Sequence, residues 1–304
     1  MMKYGYWHTL IISLAMFLMP CRDVAAAKPE AAPAPSGTAA PSRAELNASW
    51  AQVLNANIPG AQRQQALSWI EQEAQTGDQH DLYLLGSLYH MGQDAHGSLV
   101  QRDFVKASLY LGNAAIRGSV LAMAKMAEIK LAMRQYREAM NWAQIYGHYE
   151  RLLPKSKRPH DGYAAELVQR IADKLGRSAM PGIMNDVNSF IALNDAKIRA
   201  GTDSKFATEK LAPAPKSKAY LPPNGRFAPR AGFADCLLAF NADGSLADVW
   251  LLDAVPDPEL GVILRRYAQE MTIPPMAAGA GSALRYAWMP IMYDDGRYRA
   301  AVVH

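Results

Sequence analysis

Asp81 to Gly118 reads DLYLLGSLYHMGQDAHGSLVQRDFVKASLYLGNAAIRG, two helical halves joined by a loop. In the first half Leu82, Leu85 and Tyr89 fall at i, i+3 and i+7 with Leu88 beside them, which is one apolar stripe of an amphipathic helix. Gly86 stands in that stripe. Glycine inside a helix costs roughly 1 kcal/mol against alanine, so its presence predicts that another backbone approaches closely there. Asp103 is placed to cap a second helix, whose stripe is Phe104, Ala107, Leu111 and Ala114 and which Gly118 ends.

The unit recurs. A step of 41 positions back from Ala107, Tyr110, Ala115 and Gly118 reaches Ala66, Trp69, Ala74 and Gly77, the same residue classes in the same order. The same step forward from Leu85 and Gly86 reaches Met126 and Ala127. Ala139 and Trp142 then stand 32 positions after Ala107 and Tyr110, as if the nine-residue loop Asp94 to Arg102 had been deleted between intact helices.

The pattern Leu85-Gly86-x-x-Tyr89-x-x-Gly92, followed by Asp103-x-x-Lys106-Ala107-x-x-Tyr110-x-x-x-Ala114-Ala115-x-x-Gly118, resembles the Sel-type branch of the tetratricopeptide-like repeats. That resemblance implies a solenoid of antiparallel helix pairs over residues 44–201, of the kind that presents a surface to other proteins. Two further amphipathic segments, Tyr163 to Leu175 and Met180 to Arg199, lack the repeat signature and are expected to cap the array, with Asp186, Asn188, Asp195 and Lys197 on a polar outer face.

Composition sets the outer bounds. The chain has 304 residues, half of them hydrophobic and 20% charged, with a formal charge of +4, so there is room for two domains and no strong basic footprint for nucleic acid. Residues 1–27 read as a signal peptide: Lys3, an apolar run from Thr9 to Pro20, then Ala25-Ala26-Ala27. Twelve helical residues reach only about 18 Å against a hydrocarbon core of about 30 Å, which favours cleavage over a retained span. Proline directly before Cys21 argues against lipidation, and loss of the segment leaves Cys236 as the single thiol, with no internal disulfide. Residues 28–43 form a Pro/Ala-rich leader, and residues 202–230, with prolines at 213, 215, 222, 223 and 229, form a linker.

Beyond the linker the period changes. Cys236, Leu238 and Phe240 alternate with Leu237 and Ala239; a turn at Asn241 to Ser245 and a second apolar run, Leu246 to Leu252, complete a β-hairpin. Asp257 caps a helix with Pro258 and Glu259 in its first turn and Leu260, Ile263, Leu264, Tyr267 and Met271 on its buried face. A strand from Leu284 to Tyr293 follows, and Tyr298 to Val303 has the composition of one more. Over 231–304 the expected fold is therefore a small α+β domain. Gly232-x-Ala234, Asp243-Gly244, Asp257-Pro258-Glu259-Leu260 and Ile273-x-Pro275, in that order, resemble the C-terminal domain of the TonB family of periplasmic energy transducers. The resemblance implies that a partner's extended segment, such as a peptide of an outer-membrane transporter, adds beside the strand carrying Leu284, Tyr286, Trp288, Met289, Ile291 and Tyr293. Here the extra C-terminal strand is expected to occupy that edge and cap the module.

No catalytic, cofactor-binding or metal-ligating set is assigned. His80, His90 and His96 lack the i, i+4 spacing of helical metal ligands and read as solvated loop and helix-end residues. Cys236 alternates inward and reads as a buried structural thiol. The sequence thus describes an exported, periplasmic, non-enzymatic scaffold of a bacterial cell envelope whose partners are envelope proteins. The alternatives are a TonB-like energy transducer and an envelope hydrolase with an unrecognised site.

Overall fold

Caps and apolar stripes lay out a helical array followed by a sheet. The computed structural model describes residues 42–77, 79–154, 161–176, 179–202, 210–213, 231–277, 283–294 and 297–300. The signal peptide, nearly all of the leader, most of the linker, Cys21 and the end of the last strand lie outside these residues. The helices are α1 (Arg43–Leu54), α2 (Gly60–Thr76), α3 (Gln79–Met91), α4 (Phe104–Ile116), α5 (Val120–Ala132), α6 (Tyr136–Leu152), α7 (Asp161–Leu175) and α8 (Met180–Thr202). Then follow β1 (Ala212–Pro213), β2 (Ala231–Phe240), β3 (Leu246–Val255), α9 (Pro258–Ala268), β4 (Met271–Thr272), β5 (Arg285–Asp294) and β6 (Arg297–Ala300).

Ser42 and Glu45 open α1 with a reciprocal capping box. Asp103 accepts from the Val105 and Lys106 amides at the start of α4, as its position predicts. Gly118, at φ +103°, closes that helix in a conformation that disfavours any side chain. The helices pack as consecutive pairs, α1 with α2, α3 with α4 and α5 with α6. Where the sequence implied a deleted loop, Met133–Gln135 alone joins α5 to α6.

Small residues set the depth of these seams. A Cβ on Gly86 would stand 2.5 Å from Leu111 Cγ, so the close neighbour is chiefly that side chain, with its backbone nitrogen just behind. Ala107, Ala114, Ala115 and Ala127 are fully buried in the same layer. Gly86→Leu is therefore expected to overpack the α3–α4 seam and cost about 1–3 kcal/mol, whereas replacing exposed His96 should stay within about 0.5 kcal/mol. Thermal melts of the two variants check this; equal, negligible shifts would contradict the close seam.

Of the two helices expected to cap the array, α7 differs. α7 belongs to the inner layer: Tyr163, Leu167 and Ile171, one stripe at i, i+4 and i+8, are fully buried, and the Tyr163 ring meets Phe233 of β2 edge-on at 5.4 Å. α8 lies instead along α6 and α4. There Asp186, Asn188 and Lys197 are exposed, as expected of a polar outer face; Asp186 pairs with Arg137 of α6 at the surface, and half-buried Asp195 accepts from Tyr149 at 3.2 Å.

The sheet order is β3-β2-β5-β6, every neighbour antiparallel. Asp257 caps α9 with Pro258 at its first position, as expected. The alternation also holds. Cys236, Leu238 and Phe240 face α9 with Leu260, Leu264 and Ile291, while Phe233, Leu237, Leu252, Trp288 and Met292 join the core of the helical array. Every residue of β2 is consequently buried. On the face opposite α9, α1 meets β3 and β5, α3 meets β3, and α7 meets β2 and β5. A detail absent from the sequence reading is the pairing of β1, inside the expected linker, with β4.

Candidate functional site

Among the described residues, a dense set of buried polar groups lies in the seam between α3, α5 and the sheet. Helical periodicity gives α3 a second stripe, His80, Tyr83, Ser87 and His90, opposite the face that meets α4. Lys125 points into the seam from α5. Antiparallel register sets Asp235 of β2 directly across from Asp253 of β3. Two carboxylates in that relation repel one another, and burial makes the repulsion worse.

Lys125 resolves the conflict. Its ammonium donates to Asp235 Oδ2 at 2.5 Å, to Asp253 Oδ2 at 2.5 Å and to Ser87 Oγ at 2.6 Å, which uses all three of its protons. Tyr83 donates to Asp235 Oδ2 at 2.6 Å, and its ring lies 4.6 Å from the Lys125 nitrogen. His90 Nδ1 donates to Asp253 Oδ1 at 2.8 Å, and the Ala254 amide donates to the same oxygen. Lys125, Ser87 and Asp253 have no exposed surface, and Asp235 has almost none.

Burial pushes both carboxyls up. It prevails at Asp235, against the pull of Lys125 and Tyr83, whereas at Asp253 the nearby His90 and Lys125 outweigh it and hold the group below the usual carboxylate range. Burial, then Asp235, keeps the Tyr83 phenol well above its ordinary value. Such a cluster has no open approach for a substrate and no unspent proton on its lysine. What it does is tie two helices to two strands.

Two further contacts extend the seam. Trp288 of β5 donates from Nε1 to Asn47 Oδ1 of α1 at 3.1 Å and meets Trp50 edge-on at 5.8 Å. Glu128, one turn beyond Lys125, takes a bidentate grip from Arg170 of α7 and a hydrogen bond from Tyr163 at 2.9 Å.

The histidine expectation needs correction. His80 is buried and meets Trp288 edge-on at 6.1 Å, and His90 is bound to Asp253; both belong to the helix–sheet seam, and only His96 is exposed. Cys236 is buried against α9, and burial pushes its thiol up. The candidate partner-binding strand divides by parity. Tyr286 and Trp288 lie against the helical core, Met289, Ile291 and Tyr293 lie against α9, and Leu284 is exposed just before the strand. On its backbone edge, β5 pairs with β6 from Ile291 to Asp294.

No protein-family model matches the sequence, and no curated protein is significantly similar to it. Among solved structures, the fold is similar to a protective antigen present in uropathogenic Escherichia coli strains, described as displaying an SLR fold. The identity is 17%, the alignment covers 55% of this chain and 33% of that one, and the TM-score is 0.38. The chain thus spans a third of that protein's length. The paired helices and the antiparallel sheet themselves define the class: a helical array joined to a small α+β part.

Proposed function

We propose that the protein is a non-enzymatic interaction scaffold of the bacterial cell envelope, exported through its N-terminal segment, in which the helical pairs and the α+β part act as one body. The observation that carries this reading is the saturated cluster around Lys125. Its charges, drawn from α3, α5, β2 and β3, are spent on one another and hold the inner helices against the sheet. Partners are left the outward surfaces. Among the described residues no helix is long and apolar enough to cross a membrane. Cell fractionation, affinity capture with the intact chain and mass spectrometry of the N-terminus test the reading. A periplasmic chain beginning near Lys28 that captures a defined envelope protein is expected; an uncleaved cytoplasmic chain would contradict it.

The TonB-like reading is favoured by one observation, the order hairpin, helix, strand over β2, β3, α9 and β5. In that reading the pairing of β6 with β5 caps the edge to which a transporter peptide would add. Deleting Tyr298 to His304 should then raise affinity for such peptides by about tenfold or more, the worth of a few freed backbone hydrogen bonds. Tight binding by the intact chain, unchanged by the deletion, would overturn the capped-edge account.

A further inference from the structure

Lys125, Asp235 and Asp253 stand in an arrangement from which an amide can form. The lysine nitrogen touches one oxygen of each carboxylate at 2.5 Å, so Asp235 Cγ, the carbon that an amine attacks, lies one bond beyond an atom already in contact. The seam is dry. Lys125 and Asp253 have no exposed surface, Asp235 is 2% exposed, and the rings of Tyr83 and Phe233 lie 4.6 and 5.6 Å from the lysine nitrogen. Groups held in aligned contact can reach effective concentrations on the order of 10⁵ M or more, which is what the condensation of an amine with a carboxylic acid lacks in water. Exclusion of solvent also protects the product from hydrolysis.

The two carboxyls are not equivalent, and the difference assigns their roles. Asp253 Oδ1 accepts from His90 and from the Ala254 amide; although burial opposes it, the neighbouring His90 and Lys125 hold this group as the ionised base. At Asp235 burial prevails over Lys125 and Tyr83 and favours the neutral acid, the form open to attack by an amine. Tyr83 donates to its Oδ2, where charge develops when the carbonyl is attacked. A group able to take a proton and a group able to lose a hydroxyl thus meet on one lysine.

We propose that Lys125 and Asp235 condense into an intramolecular isopeptide bond, with Asp253 as the proton carrier. Asp253 takes a proton from the ammonium, and the freed lone pair of Nζ forms a bond to Asp235 Cγ. Oδ2 carries the negative charge of the tetrahedral intermediate under the Tyr83 hydroxyl. Asp253 then gives its proton to Oδ1, which departs as water, and takes a second proton from the attacking nitrogen. One Nζ–Cγ bond forms, one Cγ–Oδ1 bond breaks, one water leaves and one proton stays on Asp253; no oxidant or cofactor enters. The product is a covalent strap from α5 to β2 across 110 positions of sequence, in a chain whose Cys236 is a free, buried thiol. Like a disulfide, it restricts the unfolded chain and keeps the helices on the sheet.

The bond needs only the folded chain, exported or not, so its test is independent of the scaffold reading. Mass spectrometry of the intact protein after denaturation, and of its tryptic digest, decides. The chain is expected to be lighter by one water than its residues sum to. Trypsin does not cut after an acylated lysine, so Gly118 to Lys130 should stay uncut at Lys125 and be joined to Ala231 to Arg265, with fragmentation placing the branch on Asp235. Asp253→Asn removes the group that takes the ammonium proton and should slow bond formation by about a hundredfold or more, the usual worth of a positioned base. If that variant fails to fold, the digest of the parent protein still decides. A parent chain of full mass that is cut at Lys125 would overturn the proposal, as would a branch on Asp253 or bond formation at the parent rate in a folded Asp253→Asn variant.

Discussion

Lys125→Met should lower the free energy of unfolding by about 3–5 kcal/mol, which is the cost of removing one partner from a buried ion cluster. The methionine fills similar space, so the loss is electrostatic. Asp235 and Asp253 are left facing each other across a strand pair with no exposed surface to share with water. Since a domain of this kind has only about 5–15 kcal/mol in reserve, the single variant is expected near the limit of folding. Combining Lys125→Met with Asp235→Leu and Asp253→Leu removes the orphaned charges as well and should recover most of the loss, because well-packed apolar replacements of buried ion clusters are often neutral or better. Denaturant unfolding measures both. A lone Lys125→Met variant within about 1 kcal/mol of the parent would show that the cluster does not hold the seam.

Trp288→Ala is expected to cost about 3–5 kcal/mol, through the lost transfer energy and the cavity left behind. Trp288 of β5 hydrogen-bonds Asn47 of α1, and its ring fills the space between Trp50 and His80. Truncation also strands the Asn47 amide, itself buried. A double-mutant cycle of Trp50→Ala with Trp288→Ala should give a coupling of about 0.5–1.5 kcal/mol, the usual worth of an edge-to-face pair beyond its area. Additive losses would mean that the two rings do not pack as described.

Much of this fold was legible because its signals are local. Asp103 and Asp257 cap where their positions say they should, Gly86 marks a tight seam, and the parity of Cys236, Leu237 and Leu238 assigns the two faces of β2. The seam itself was not legible, for a physical reason. Asp235 in an alternating strand reads as a residue on a solvated face, and only a sheet covered on both sides makes it a buried charge. A clue was present: β2 is nearly continuous in apolar residues, the pattern of a strand buried on both faces, and Lys125 sits in the apolar run Val120 to Ile129. Likewise, His80 and His90 share a helical stripe with Tyr83 and Ser87, but an isolated helix does not reveal that a second face has a partner. For α7, the stripe Tyr163, Leu167 and Ile171 told of a buried face without saying that the sheet would cover it.

Native-state hydrogen exchange measured across a series of low denaturant concentrations bears most directly on whether the helices and the sheet form one body. The amides of Phe233 to Leu238 in β2 and those of the α3 and α5 interiors should converge on one opening free energy with one denaturant dependence, and milder seam variants should lower all of them together. Exchange of the β2 amides through a separate opening several kcal/mol below that of α3 and α5 would contradict the account, since it would mean that the α+β part unfolds while the helical array stands.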